Sequence, residues 1–359
     1  MAKRKTRQIS IGGVTVGGGA PVRVQSMTNT DTSNTAATIE QILKLEKAGC
    51  EIVRVAVPDE VAAKAIKEIK KNISIPLIAD IHFDHKLALL SLDSGADGLR
   101  LNPGNIGGKD RVREVARAAN SRKAPIRIGV NSGSLEKDIL QKYGHPTPEA
   151  MVESALRHIK LLEDEGFHDI KVSLKSSNVN STIAAYEAFS KVSDYPLHLG
   201  ITEAGTLFSG TIKSSVGIGV LLHMGIGSTL RVSLTADPVE EVRVAWEILK
   251  ALEIRKRGIN IISCPTCGRI RLNSEKIALE IEKRLSHVEE PVTVAVMGCV
   301  VNGPGEAKEA DVAMAGGDGV ALIYRSGEVV AKIKEDEIVE RMVREVLSLV
   351  EERKAAKAV

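Results

Sequence analysis

Leu230-Arg231-Val232-Ser233-Leu234-Thr235 alternates strictly between apolar and polar side chains. Successive side chains of a strand point to opposite faces, so this segment has one apolar and one polar face. The same parity runs through Leu99-Arg100-Leu101-Asn102, Ile126-Arg127-Ile128-Gly129-Val130-Asn131, Ile170-Lys171-Val172-Ser173-Leu174-Lys175 and Leu197-His198-Leu199-Gly200-Ile201-Thr202. It also ends Leu77-Ile78-Ala79-Asp80-Ile81-His82. Working outward, eight strands are expected at Val22–Thr28, Glu51–Val57, Pro76–His82, Gly98–Asn102, Ile126–Asn131, Asp169–Lys175, Pro196–Thr202 and Thr229–Thr235. Segments of helical period lie between and after them, among them Ala36–Ala48, Glu60–Lys71, Pro148–Glu165 and Pro238–Ile254. Gly49, Gly95, Gly166 and Gly225 are placed to stop helices in the left-handed conformation. Eight strand–helix units in about 230 residues is the size of a (β/α)8 TIM barrel. An open doubly wound sheet would need a Gly-rich fingerprint after the first strand, and Ser26-Met27-Thr28-Asn29-Thr30 is not one. In a barrel one parity packs on the helices and the other enters the lumen. A purely structural lumen would carry layers of Val, Ile and Leu, so this one is expected to hold a binding chamber at the C-terminal strand ends.

The cations expected to converge there are Arg54, Arg100, Arg127, Lys175 and Arg231, and the acids are Asp80 and Glu203. That excess of cations suits an anion, and arginine forks match phosphate oxygens in bidentate geometry. Any one arginine could be a strand-end ion pair. Together most would lack a partner, and unpaired buried charge is costly. A small diphosphate or bis-phosphorylated metabolite fits. Asn102 and Asn131 suit polar positioning, Glu203 suits proton management or hydroxyl binding, and His82 is either an acid–base or an orienting group. Cys50 reads as a buried small hydrophobe. His145, His158, His168, His223 and His287 have no ligand spacing and read as surface or capping residues.

The chain has 359 residues, 43% hydrophobic and 26% charged, an ordinary globular composition. A net charge of +3 and 3% aromatics argue against a nucleic-acid surface. Lys3-Arg4-Lys5-Thr6-Arg7 leads into no apolar h-region, so no secretory signal is read there, and no apolar run is long enough to cross a bilayer. Four cysteines make no disulfide scaffold, and a cytoplasmic location is expected. Gln8 to Val16, folded about Gly12-Gly13, reads as a β-hairpin, with Gly17-Gly18-Gly19 as a connector.

At the charged break Arg255-Lys256-Arg257-Gly258 the pattern changes, dividing the chain into 1–256 and 257–359. The second part is expected to be a β-α-β-β-β-α domain. Its strands are Ile259–Ser263, Val292–Met297, Asp311–Ala315, Val320–Arg325 and Val329–Ile333, and its helices Ser274–Leu285, with Ser274 as N-cap, and Glu335–Arg353. Cys264-Pro265-Thr266-Cys267 lets one turn present two thiolates to one metal centre, and Cys299 follows a strand that can aim it. Gly298-Cys299-Val300-Val301-Asn302-Gly303-Pro304-Gly305-Glu306 reads as a loop ending on an acid that can reach the same centre. Three thiols and a carboxylate fit a closed zinc tetrahedron poorly and an iron–sulfur cluster with one differently held iron better. A redox dithiol and a zinc knuckle with a distant His stay open. So do a non-redox phosphosugar- or pterin-type barrel enzyme with a structural zinc domain, and a non-enzymatic metal-binding module.

Several segments together resemble the bacterial 4-hydroxy-3-methylbut-2-enyl diphosphate synthases. They are Cys264-Pro265-Thr266-Cys267-Gly268-Arg269, the run from Met297 through Asn302 and Glu306 to Ala307, and Gly200-Ile201-Thr202-Glu203-Ala204-Gly205. Val24-Gln25-Ser26-Met27-Thr28 and the run Leu99 to Gly107 match as well, and the resemblance covers essentially the whole chain. It implies reductive ring opening and dehydration of 2-C-methyl-D-erythritol 2,4-cyclodiphosphate in the non-mevalonate isoprenoid pathway. It implies a [4Fe-4S] cluster on Cys264, Cys267 and Cys299, with Glu306 on the fourth iron, fed singly with electrons by flavodoxin or ferredoxin. By the same resemblance Arg54, Arg100, Arg127, Lys175, Arg231 and Ser233 bind the diphosphate, and Glu203, Asn302, Asp80 and His82 line the reacting centre. A homodimer in which each cluster domain caps the partner's barrel is also implied.

Overall fold

The computed structural model describes residues 3–267, 270, 272–299, 303–317 and 319–358. The chain divides into two compact units, Met1–Arg255 and Lys256–Val359. Among the described residues no helix is long and apolar enough to cross a membrane.

The first unit opens with an antiparallel hairpin, β1 (Gln8–Ile11) and β2 (Val14–Gly17). Gly12 and Gly13 both take positive φ, +52° and +89°, the conformation that matches a two-residue turn to the twist of its strands. Gly12 also has no room for a side chain: a Cβ there would lie 2.8 Å from the Asp97 carboxyl. Ile9, Ile11 and Val16 pack on Ile52 and Ile78, so the hairpin plugs the N-terminal end of the barrel.

Eight strands follow: β3 (Arg23–Met27), β4 (Ile52–Ala56), β5 (Leu77–Asp80), β6 (Gly98–Arg100), β7 (Ile126–Asn131), β8 (Ile170–Lys175), β9 (His198–Leu199) and β10 (Thr229–Leu230). Neighbours from β3 to β8 pair in parallel, and β10 pairs with both β9 and β3. A bridge from Val172 to Leu197 joins β8 to the segment leading into β9, which closes the ring. This is the expected TIM barrel. Around it lie α1 (Thr35–Ala48), α2 (Glu60–Lys71), α3 (His85–Asp93), α4 (Lys109–Ser121), α5 (Lys137–Tyr143), α6 (Pro148–Glu163), α7 (Val179–Val192), α8 (Leu207–His223) and α9 (Pro238–Ala251). Side chains of Asn34, Asp59, Asp84, Thr147, Asn178 and Asp237 cap helix N-termini by accepting from backbone N–H groups. Gly49, Gly95, Gly166 and Gly225 are left-handed as expected. One parity of the strands, such as Val53, Val55, Ile128, Val130, Val172 and Leu174, is buried against the helices, each residue contributing about 2 kcal/mol.

The second unit contains β11 (Ile259–Ser263), α10 (Ser274–Arg284), β12 (Val292–Met297), α11 (Gly303–Glu309), β13 (Val312–Gly317), β14 (Val320–Arg325), β15 (Glu328–Lys334) and α12 (Ile338–Ala358). The sheet runs β11-β12-β13-β14-β15, the first three parallel and the last two antiparallel. Val292, Val294 and Val296 face one hydrophobic cluster with residues of α10 and α12; Ala295 and Met297, of opposite parity, meet Ala307 and Ala310 at α11. Two expectations need correction. Asn273, whose side chain accepts from Lys276 N, is the N-cap of α10, and Ser274 is its first helical residue. The segment carrying Glu306 is a short helix where a loop was expected. Proline is tolerated in the first helical turn, and Gly303 packs where a Cβ would stand 3.0 Å from that of Ala315, so apolar docking of α11 overrides its Gly and Pro content.

Candidate active site

The polar parity of the barrel strands gathers Arg54, Arg100, Arg127, Lys175 and Asp80, all buried, with Arg231 half-buried. Asp80 sits between two guanidiniums, 3.2 Å from Arg100 Nη1 and 3.6 Å from Arg54 Nε. Burial opposes its charge, yet Arg54, Arg100 and Arg127 outweigh that and hold Asp80 below the usual carboxylate range. Burial, only partly offset by Asp80, brings the Arg54 guanidinium down to about 10. Arg100 also donates to the Gly129 carbonyl at 3.1 Å. It has space because residue 129 is glycine: a Cβ there would lie 2.5 Å from Arg100 Nε. Gly200 opens the same kind of space for Lys175 Nζ, again at 2.5 Å.

Arg127 donates from Nη1 to Ser173 Oγ at 2.6 Å, while its buried Nε and Nη2 have no partner among the described residues. Lys175 Nζ faces His198 Nε2 at 3.5 Å, and His198 Nδ1 meets Thr229 Oγ1 at 2.9 Å. Burial first, then neighbouring cations, push Arg127, Lys175 and His198 well below their ordinary values. Arg231 is held differently. Its Nε and Nη2 donate at 3.3 Å to Glu241 of α9, whose carboxylate also accepts from Ser26 Oγ at 3.2 Å and Leu234 N at 3.0 Å.

The arginines are therefore better paired than their numbers implied: Arg54 and Arg100 share Asp80, and Arg231 takes Glu241. Of the five expected cations, Arg127 and Lys175 lack a carboxylate partner among the described residues. Glu241 lies in the first turn of an amphipathic helix, where nothing in the sequence marks it as the partner of a chamber arginine. Lys171, 1% exposed on β8, shows the same alternation and joins the chamber cations beyond the five expected.

Other site residues fall at the rim. His82 is exposed, with Nε2 3.8 Å from Asp80 and Nδ1 3.4 Å from Arg100 Nη1. Glu203 is exposed just beyond β9 with φ +52°, a left-handed conformation that costs a residue with a Cβ about 1 kcal/mol or more. Asn131 ends β7 opposite Lys175, and Ser233 is half-buried beyond β10. Asn102 locks both ends of its amide onto Gly129, donating to the carbonyl at 3.0 Å and accepting from the N–H at 2.9 Å. Cys50 is the buried residue expected, its thiol pushed up to about 12 by burial. His158 is not on the surface. It is buried between Gly104 N at 3.1 Å and Glu136 at 3.0 Å, tying together two loops at the C-terminal strand ends.

In the second unit, Cys264 follows β11 and Cys299 follows β12, two adjacent parallel strands in register from Ile259 and Val292 to Ser263 and Val296. Both are half-buried free thiols, and Gly298 N donates to Cys264 Sγ at 3.2 Å. Cys267 is exposed three residues on, and Glu306 is exposed in the first turn of α11, packed on the same part of the sheet. Asn302 lies outside the described residues. Among the described residues no three Cys, His, Asp or Glu side chains are drawn close enough to hold a metal ion. The donor chemistry fits an iron–sulfur group: thiols supplied from one sheet edge, with a backbone N–H directed at a sulfur.

Residues 6–246 match the GcpE TIM-barrel domain and residues 260–348 the GcpE protein C-terminal domain. The chain belongs to the GcpE family. It is 61% identical over 351 residues to the 4-hydroxy-3-methylbut-2-en-1-yl diphosphate synthase (flavodoxin) of Geobacter sulfurreducens, covering 98% of this chain and 99% of that one. The enzyme of the same name from Caldanaerobacter subterraneus is 59% identical, again covering 98% of this chain and 99% of the relative. The GcpE barrel also superimposes on dihydropteroate synthase from Stenotrophomonas maltophilia, with TM-score 0.51 and 15% identity over 69% of this chain and 98% of that one. Type I 3-dehydroquinate dehydratase from Clostridium difficile gives 0.50 and 16%, with the same coverage. At such identities the likeness is one of fold, so the pterin chemistry of the first carries no weight for the GcpE chain.

Proposed function

We propose that this chain reductively opens 2-C-methyl-D-erythritol 2,4-cyclodiphosphate to 4-hydroxy-3-methylbut-2-enyl diphosphate, an oxidoreductase step of the non-mevalonate isoprenoid pathway. The observation that carries the reading is a cationic chamber at the C-terminal strand ends, in a chain that matches a synthase of that product over nearly its whole length. Arg127 and Lys175, whose N–H groups have no carboxylate to serve, are the first choice for phosphate oxygens. Arg54, Arg100 and Arg231 are held ready by Asp80 and Glu241, so little reorganisation is needed when the anion arrives. Ser233 and Asn131 extend the polar wall, and Asn102 fixes the β7 backbone beside Arg100. Glu203, His82 and Asp80 line the open end, where protons must be delivered as water leaves.

Cys264, Cys267 and Cys299 would hold a [4Fe-4S] cluster, with Glu306 on its fourth iron and Asn302 nearby. Such a cluster supplies two electrons one at a time and a Lewis-acidic iron beside the substrate. Reduced flavodoxin, or a ferredoxin, is the donor this reading implies, and the cytoplasm is the compartment. A homodimer in which each 257–359 domain caps the barrel, 1–256, of its partner completes the site. Two surfaces support an assembly of copies. On α8, Phe208, Ile212, Val216 and Val220 recur every fourth residue with exposures of 79%, 49%, 51% and 40%, more apolar surface than a lone helix leaves in water. Phe83, 74% exposed beside His82, offers a covering lobe an apolar contact at the mouth.

Anaerobic purification and assay test this directly. A brown, iron-containing protein that converts the cyclic diphosphate to the allylic diphosphate with reduced flavodoxin is expected. A colourless zinc protein without that turnover would overturn the reading.

A further inference from the structure

Lys171 and Lys175 stand on the same face of β8 with Ser173 between them, 1% and 7% exposed. Lys171 Nζ has no hydrogen-bond partner among the described residues, and Lys175 Nζ has only His198. They meet cations: Arg127 on the neighbouring β7, directly across from Lys171, then Arg54 for both amines and Arg231 and Arg100 for Lys175. His198 on β9 faces Lys175, and Tyr186 of α7 donates to the His198 carbonyl. The buried carboxylates of the barrel are Asp80 and Glu241, and Arg54, Arg100 and Arg231 occupy those.

We propose that Lys171 and Lys175 are the proton reservoir of the chamber, two amines that fill with protons as an anion enters and empty as it leaves. This rests on the anion-binding reading above and goes beyond it, because Lys171 belongs to no diphosphate-binding set. A second and third positive charge beside Arg127 would be desolvated and without a carboxylate among the described residues, so burial and repulsion lower the proton affinity of both amines. A bound anion reverses the balance. Each amine takes one proton from the buffer acid in solution, leaving the buffer's conjugate base and breaking no bond in the protein, and the new ammonium offsets the anion charge. The reaction makes the same demand: opening the cyclic diphosphate frees one phosphate oxygen from its ester and adds an ionisable group. A chamber that can take up a proton meets that added charge without moving a side chain.

Inorganic sulfate is a suitable probe, because it stays a dianion throughout and any proton taken up belongs to the protein. Titration calorimetry of sulfate into the anaerobic holoprotein at pH 8, in buffers of different ionisation enthalpy, should give an uptake of about one to two protons per sulfate bound. Lys171→Met should fold with an unchanged or raised melting temperature, since an apolar side chain replaces a buried amine, and should cut the uptake by about half. Lys171→Gln serves if the methionine variant does not fold. Sulfate binding without proton uptake, or unchanged uptake in the Lys171 variants, would overturn the reservoir while leaving the anion chamber standing. A protein that binds no sulfate would overturn the chamber, and the reservoir with it.

Discussion

The barrel chamber and the cysteine edge of the second unit are both presented as places for chemistry, and they are built in opposite ways. In the chamber both buried carboxylates and three of the arginines are held by named neighbours, Asp80 by Arg54 and Arg100, Arg231 by Glu241 and Arg100 also by the Gly129 carbonyl. Arg127 and the lysines of β8 keep open N–H groups among the described residues. At the cysteine edge, parallel strands bring Cys264 and Cys299 to one side, but no metal-holding group is assembled among the described residues. The difference teaches where preorganisation comes from. Closed backbone ladders on all sides dictate where lumen side chains point. Thiols on connecting segments need the group they bind to supply the last constraint.

The largest expected effect separates the two regions. Cys264→Ser should remove nearly all bound iron and visible absorption, while sulfate affinity and the unfolding of the barrel stay unchanged. If the same substitution also abolished sulfate binding, the chamber would not be self-sufficient and the comparison would break. Next comes Arg127→Gln, which removes the fork with unserved N–H groups. Steady-state assays should show kcat/KM lowered by about two to three orders of magnitude, with the iron content untouched.

Gly200→Ala probes how tightly the chamber is built. The new Cβ would lie 2.5 Å from Lys175 Nζ and 2.7 Å from the Arg231 carbonyl oxygen, and backbone cannot step aside as a side chain can. Unfolding in urea should show a loss of about 1–3 kcal/mol together with weakened sulfate binding. Gly12→Ala, which should cost about 1 kcal/mol at the hairpin turn, ought to leave sulfate binding intact. The smallest effect is one of pH. Lys171 and Lys175 bind protons less readily folded than unfolded, so the unfolded chain holds more protons and stability should rise with pH up to the ordinary value of 10.5. The barrel should melt a few degrees higher at pH 9 than at pH 7 without sulfate, with a flatter dependence when sulfate is saturating. A melting temperature that fell over that interval would count against a lowered proton affinity of these amines in the folded protein.

Much of the fold was legible because the strands announce themselves twice, once by period and once by which parity is polar. Arg100, Arg127 and Lys175 could be assigned to the lumen from that parity, whereas Arg54 was placed there only by lying within the second strand. Lys171 carried the same parity signal. The helix at Gly303–Glu309 departs from the expected loop because glycine and proline weigh against helix locally, whereas Ala307 and Ala310 favour it only once a sheet exists to receive them. His158 looked ordinary for a similar reason: its partners, Gly104 and Glu136, come from two other loops.

By itself the sequence determined which side of each strand is polar, how many strand–helix units there are, and where the thiols stand along the chain. These are local properties, set by side-chain alternation and by the φ/ψ demands of glycine, proline and caps. Which carboxylate serves which arginine, which glycine makes room for which cation, and which amines are left without a counter-charge were decided only in three dimensions. Those choices depend on distances between strands and helices far apart in sequence, and burial makes each of them energetically consequential.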